Sequence, residues 1–295
     1  MFVVMGATGN TGRATAESLL ASGEKIRVVG RDARRLGELT KRGAEAAVGD
    51  VHDVEFLTKA FADADGVYAL IPPDYTYADY AARYATIADV IATAISNAGV
   101  KRVVFLSSLG AQHAEGTGPI TGLHRAEARL KQLVGVDVLL LRAGYFMENL
   151  YGSIGLIKHQ GVNGSNILAD TPMAWVDTHD IGAAAAHALI THDFTGVSVR
   201  ELISPREFPM AEATKIIGAA IGKPGLTYVV FPDADFVAGL VGAGFAPEFA
   251  QSFVEMGHAM NTGRIAPPVE QSHTHRGRVT IEQFATGFAA VYSAA

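Results

Sequence analysis

The chain has 295 residues, 49% of them apolar and 18% charged, which is enough to bury a large core and excludes a disordered chain. A net charge of −6 with scattered Lys and Arg excludes a broad basic face for nucleic acid, and the lack of cysteine excludes disulfides, thiolate catalysis and Cys-ligated metals. Phe2–Met5 is too short for a signal peptide, and no apolar run reaches the roughly 20 residues of a bilayer span, so a cytoplasmic protein without membrane contact is expected.

The first apolar run, Phe2–Met5, meets G-A-T-G-N-T-G-R at residues 6–13. Gly6, Gly9 and Gly12 stand three apart where a strand turns into a helix. Such a turn lets backbone N–H groups approach a pyrophosphate, and the helix from Ala14 to Ser22 aims its N-terminal dipole at it. Gly6, Thr8, Gly9, Asn10, Thr11, Gly12 and Arg13 are therefore expected to hold a dinucleotide. Further strand-like runs follow at Lys25–Gly30, Ala44–Val48, Gly66–Ile71, Arg102–Leu106 and Asp137–Leu141. Helical patterns lie between them at Ala33–Arg42, Val54–Ala62, Tyr77–Ala98 and Leu123–Val134, with Gly99 and Gly135 as stops. This alternation predicts an α/β protein, a doubly wound parallel Rossmann sheet with its ligand crevice at the carboxyl ends of the strands.

The second strand ends Val28-Val29-Gly30-Arg31 without the acid that would accept from a ribose 2′-hydroxyl. Arg31 offers a guanidinium fork suited to a 2′-phosphate, with Arg13 in reach of the same group, so NADP(H) is the expected cofactor. Arg34 and Arg35 read as solvated helix charges that add positive field, and Asp32 as the cap of the next helix. Asp50 and Val51 after the third strand are placed beside the adenine, and Leu70, Ile71 and Pro72 after the fourth beside the nicotinamide ribose.

Beyond Arg142 the rhythm changes. Strand-like pieces at Ile167–Leu168, Met173–Val176, Ser198–Ile203 and Leu226–Phe231 mix with helices at Asp180–Thr191, Pro209–Ile221, Asp235–Asn261 and Ile281–Val291. The last carries Thr280 as N-cap. The division expected is a cofactor-binding domain over 1–150, rejoined by a later segment at about 173–203. A smaller, partly interleaved C-terminal α+β lobe spans 151–295 and holds the substrate or a partner. Gly263–Gly277 is expected to be a mobile loop. His273-x-His275 lacks other ligands and is not read as a metal site; Asp177 and Asp180 are read as capping and bridging groups, so no metal is expected.

Six stretches together resemble one family: G-A-T-G-N-T-G at 6–12, G-R-D at 30–32, G-D-V at 49–51, V-F-L-S-S-L-G-A at 104–111, L-R-A-G-Y-F-M-E-N-L at 141–150 and W-V-D-T-H-D-I-G at 175–182. The chain resembles the NmrA-like family of atypical short-chain dehydrogenase/reductases from residue 1 to about 230, departing mainly at Ala143, where the family carries proline. The resemblance implies an NADP(H)-binding Rossmann domain with a cleft beneath a small lobe. It also implies one of two activities: reduction of quinones, dyes, enones or imines, or redox sensing without turnover.

Ordinary short-chain dehydrogenases use Ser, Tyr and Lys, the Tyr as proton donor. Ser107 stands where that Ser is expected, yet Thr121–Glu127 contains neither Tyr nor Lys, and His124 or Arg125 falls near the lysine position. The remaining candidates are His124 and Tyr145 as acids, with Tyr145, Phe146 and Ser107 beside the cofactor. Tyr75, Phe146 and Asn149 are placed around a substrate, and Phe236, Phe245, Phe249 and Phe253 suit an apolar ligand or a partner helix. The leading reading is an NADPH-dependent oxidoreductase passing hydride to a small planar or conjugated acceptor without the Tyr/Lys pair, as a monomer or homodimer. The other is a non-catalytic NADP(H) sensor that binds a protein partner.

Overall fold

The computed structural model describes residues 1–267 and 274–295. Strand β1 (Phe2–Val4) is wholly buried and turns into α1 (Asn10–Ala21). β2 (Ile26–Gly30) leads to α2 (Ala33–Lys41), which Asp32 caps by accepting the N–H of Arg34. β3 (Glu45–Val48) leads to α3 (Val54–Phe61), capped by Asp53. β4 (Gly66–Ala69) leads to α4 (Tyr80–Ala98), which Asp79 caps and Gly99 ends. β5 (Arg102–Ser108), α5 (Ile120–Leu130) and β6 (Asp137–Ala143) complete the alternation.

The chain continues through β7 (Tyr145–Phe146), a 3₁₀ turn (Met147–Ser153), α6 (Ile154–Gln160) and the short strands β8 (Val162–Ser165), β9 (Pro172–Met173) and β10 (Trp175–Val176). Next come α7 (Thr178–Thr191), β11 (Val197–Ile203), β12 (Phe208–Pro209), α8 (Met210–Ala220) and β13 (Thr227–Val230). α9 (Asp233–Gly242), α10 (Pro247–Asn261), β14 (Thr274–Arg276) and α11 (Ile281–Ala294) close the sequence, α11 behind a capping box of Thr280 and Gln283.

Eight strands form one sheet in the order β14-β11-β6-β5-β4-β1-β2-β3, and every pairing in it is parallel. A parallel sheet must be covered on both faces. One face is sealed by α3, α4 and α5 through Phe61, Ile87, Ile91 and Leu130, the other by α1, α2 and α7 through Leu19, Leu36, Ile181 and Leu189. The strand order reverses direction at β1, between β2 and β4, which places the ligand crevice at the carboxyl ends of these strands. A third apolar cluster around Met147, Ile157, Trp175, Phe208, Ile217 and Phe288 forms the smaller α+β lobe. The fold is thus the doubly wound Rossmann sheet with an interleaved lobe, since β11 and β14 return to the sheet from within the later sequence.

Several local expectations are corrected. The strand expected at Ile167–Leu168 lies earlier, at Val162–Ser165, where it pairs in parallel with β13; Ile167 is instead buried in the lobe and Leu168 is exposed. The fifth helix runs Ile120–Leu130, so Gly135 belongs to the turn beyond it, and Val134, expected in the helix, stands out in solvent. Within the expected loop Gly263–Gly277, Thr274–Arg276 is the outermost strand of the sheet. His273 lies outside the described residues, and His275 sits on β14. Among the described residues no helix is long and apolar enough to cross a membrane.

Helices α1 and α7 approach so closely that a Cβ on Gly182 would overlap Ala14. Gly182→Val should therefore lower stability by about 1–3 kcal/mol through overpacking. Urea unfolding should show this as a lower midpoint at constant slope; an unchanged midpoint would refute the close contact.

Candidate cofactor and acceptor site

The turn after β1 is set by backbone crowding. Gly6 has φ +64°, and a Cβ at Gly12 would overlap the Gly6 carbonyl, so neither position accommodates a side chain without displacement. The Gly9 N–H donates to the Gly6 carbonyl at 2.9 Å, and Arg13 N–H to the Gly9 carbonyl at 3.0 Å. Gly9 is the N-cap of α1 and brings no side-chain cap, and the first turn holds no acid. The helix thus begins with its leading N–H groups at Asn10, Thr11 and Gly12 outside the intrahelical ladder, the arrangement that receives an anion. Thr11 is buried, Asn10 exposed, and the Thr8 carbonyl is gripped by Arg35 at 3.1 Å. Arg35, read from sequence as solvated, thus holds the turn.

At the tip of β2, Arg31 is exposed, and among the described residues it has no hydrogen-bond partner. Arg34 pairs with Asp32, and Arg13 with Glu17 at 3.2 Å. Asp50 is held below the usual carboxylate range first by the His52 N–H, then by the His52 ring, with the Arg31 charge contributing. The His52 ring lies between Asp50 (Nδ1 to Oδ1, 2.7 Å) and Arg83 (Nε2 to Nη1, 2.9 Å). Because arginine only donates, His52 accepts at Nε2 and carries its proton at Nδ1 toward Asp50. Arg83 also faces Asp74 at 3.6 Å and lies over the Tyr77 ring. His52 and Arg83 carry no motif and are not legible as site residues. Val51 is buried in the sheet core, so its backbone rather than its side chain would border an adenine.

Toward the other end, Leu70 packs directly on Gly6, Ile71 is buried in the core and Pro72 is half-buried. Ser107 is 3% exposed and donates its hydroxyl proton to Glu127 at 2.7 Å. Glu127, 1% exposed, also accepts two bonds from Arg142, at 2.9 Å from Nε and 2.7 Å from Nη2. Burial alone would raise its pKa; the hydrogen bonds from Arg142 and Ser107 and the Arg142 charge outweigh burial and hold it below the usual range. Ser107 is thus committed to a buried ion pair that ties β5, α5 and β6 together. No local pattern signals this, because Glu127 lies 20 positions from Ser107 and 15 from Arg142.

His124 is half-buried, with Nδ1 at 2.9 Å from the Ala111 carbonyl. That ring nitrogen donates, so the neutral ring presents Nε2 as an acceptor. Tyr145 is half-buried edge-on to Trp175 at 5.1 Å, with the Asn149 side chain near its hydroxyl. Burial pushes the Tyr145 phenol pKa up, so it stays protonated across the neutral range. Phe146 is half-buried against the α1–α7 face and Asn149 is exposed. Tyr75 lies in the segment that follows the carboxyl end of β4. Tyr75 stacks on Phe245 at 4.6 Å and meets Phe249 and Phe253 edge-on, while Tyr80 packs on Phe249 at 4.8 Å. Phe236, half-buried on α9, makes no ring contact in this group among the described residues.

Asp177 caps α7 by accepting the His179 N–H, and Asp180 accepts the N–H groups of Arg278 and Val279. Glu148 accepts the N–H and hydroxyl of Thr178. Glu148, Asp177 and His179 bring possible ligand atoms within 4.8 Å; the start of α7 engages Asp177 and one oxygen of Glu148, while the buried Glu148 Oε2 has no hydrogen-bond partner among the described residues.

A glycine-crowded turn, an uncapped helix start and a crevice at the strand reversal agree with the motifs of the sequence. The NmrA-like family matches residues 1–285. The chain belongs to the NmrA-like family. An NAD(P)H azoreductase of Xenophilus azovorans is 26% identical over 301 residues, spanning the whole of both chains. An NADPH-dependent quinone oxidoreductase from Escherichia coli, solved with NADPH, superposes with a TM-score of 0.82 at 22% identity, covering 98% of this chain and 99% of that one. The triphenylmethane reductase of Citrobacter sp., solved with NADP(H), gives 0.81 at 20% identity, covering 98% and 100%. These structural likenesses show a shared fold over nearly the whole chain.

Removing one partner of a buried pair leaves an uncompensated charge. Glu127→Ala should lower stability by about 3–5 kcal/mol in urea titrations at neutral pH. Because the Glu127 pKa is depressed on folding, its contribution is complete above the unfolded value of about 4.3 and is lost as pH falls through the lower folded value. The variant should therefore lose less stability than wild type on acidification below pH ~4; parallel pH profiles would contradict the assignment.

Proposed function

We propose that this NmrA-like chain is an NADP(H)-dependent reductase that passes hydride to a small planar or conjugated acceptor such as a quinone or dye. The observation that carries the reading is the juxtaposition, at one carboxyl edge of the sheet, of an anion-receiving helix start and an aromatic-lined mouth. The azo, quinone and triphenylmethane substrates in the names of its relatives agree with such an acceptor.

The residues fit the cofactor. The N–H groups of Asn10, Thr11 and Gly12 would hold the pyrophosphate, and Arg31 a 2′-phosphate. Asp50 and the Val51 backbone would border the adenine, and Leu70, Ile71, Pro72 and Phe146 would enclose the nicotinamide half. The bound nicotinamide supplies the hydride. Tyr145, which burial keeps protonated, would give a proton to a reduced acceptor, with Asn149 beside its hydroxyl. His124 is the second candidate; its Nδ1 is tied to the Ala111 carbonyl, which leaves Nε2 as the ring nitrogen that could face an acceptor. Electron-poor acceptors need alignment more than a strong acid, so the missing Tyr/Lys pair does not prevent turnover.

One observation favours a second reading, a sensor that binds the cofactor without turnover. The Ser107 proton is committed to Glu127, and α5 carries neither Tyr nor Lys.

NADPH consumption against a panel of quinones, dyes, enones and imines separates the two. Catalysed turnover of any acceptor excludes the pure sensor; silence across the panel, with NADPH and NADP⁺ bound at clearly different affinities, excludes the reductase. For the cofactor, Arg31→Ala should weaken NADP(H) about tenfold or more and leave NAD(H) nearly unchanged in calorimetric titrations. Equal losses for the two dinucleotides would remove the 2′-phosphate role.

A further inference from the structure

The ring pair of Tyr75 and Phe245 has the geometry of a bound planar ligand. The two rings lie 4.6 Å apart and only 9° from parallel, whereas the other rings touching Tyr75, Phe249 and Phe253, meet it steeply at 86° and 71°. Offset parallel stacking on one face, with edge contacts closing the sides, is how an aromatic pocket grips a flat conjugated molecule. Tyr75 nevertheless remains 40% exposed, so the stacked pair lies at the surface of the protein.

The two partners are not equally anchored. Tyr75 lies in the segment after the carboxyl end of β4, at the edge of the sheet where the crevice opens. Phe245 follows α9, a helix with no buried residue, and is joined to it through Gly244, whose φ is +95°. The neighbouring Ala246 N–H donates to the Tyr75 carbonyl at 2.8 Å, which ties the two segments together through the backbone. Behind it α10 is fixed by buried Phe249 and Ala250. Phe245 is therefore a half-buried ring at the end of a lightly held helix, placed on a firmly held platform.

We propose that the Tyr75 ring is the stacking platform for a planar, conjugated acceptor, and that Phe245 occupies this platform until the acceptor displaces it. The identity of the ligand as an acceptor rests on the reductase reading; the platform itself does not. The arrangement selects for flat ligands, because only a flat molecule can replace the stacking of Phe245 on Tyr75.

The test uses menadione and the NADP⁺-loaded full chain in equilibrium dialysis, where no turnover occurs. Tyr75→Ala should weaken menadione about tenfold and Tyr75→Phe should retain it, while Phe245→Ala should tighten it by about three- to tenfold. Circular dichroism and an unchanged NADP⁺ affinity establish that each variant is folded. A weakening with Phe245→Ala like that of Tyr75→Ala would make Phe245 a wall of the pocket and overturn the displacement. Unchanged affinity in Tyr75→Ala, or no menadione binding by wild type, would overturn the platform. Menadione binding in the expected pattern without NADPH consumption in the acceptor panel would defeat the reductase reading alone; turnover with one affinity across all three variants would defeat the stacking proposal alone.

Discussion

The backbone crossing between Gly6 and Gly12 is the contact on which the rest of the molecule depends. With no side chain between them, α1 can begin almost on top of the strand that precedes it. That fixes the height at which Ala16 and Leu19 enter the core, and it sets the groove of α1 that receives Gly182 of α7. The same closeness leaves the helix start uncapped by protein, so its dipole and N–H groups face the crevice. Fold and ligand site are two results of one steric condition.

Polar chemistry is distributed unevenly around the crevice. The deepest charged group, Glu127, is satisfied by Arg142 and Ser107 and serves to lock three elements together rather than to exchange protons. A pair of this kind contributes definition more than net stability, because desolvating both ions offsets most of their attraction. The mouth, in contrast, is lined by rings and by phenols that burial keeps protonated. Such a surface orients flat, weakly polar molecules and offers few strong acids or bases, consistent with acceptors that need little proton assistance.

The parts of this structure that are legible in the sequence are those governed by near neighbours along the chain. The glycine spacing at residues 6–12, the apolar runs of the sheet, the Asp32 and Thr280 caps and the Gly99 stop all act within a few residues. Stretches such as Leu141–Leu150 add the family and, through it, the fold. What cannot be read depends on partners far away. Ser107 resembles a catalytic serine because its distance from Glu127 and Arg142 along the chain hides their contact. Arg83 and His52 meet across 31 positions, and Tyr75 meets Phe245 across 170. Strand β8 escapes a local reading because V-N-G-S has no apolar run of its own and is defined by pairing with β13.

The position of β14 bears on how the chain reaches this state. Strand β1, made from the first few residues, lies in the middle of the sheet, while the outermost strand beside β11 comes from Thr274–Arg276. The Gly277 N–H bonds to the Ile203 carbonyl, and Asp180 at the start of α7 gathers Arg278 and Val279. During synthesis the sheet therefore waits with an open parallel edge at β11 until the long segment after Ile203 has emerged. Pairings this distant close slowly, and an unpaired edge of this sort is exposed to association with other chains in the interval. The late residues at 274–279 act as a latch on the finished sheet, covering the β11 edge only once nearly the whole chain has emerged.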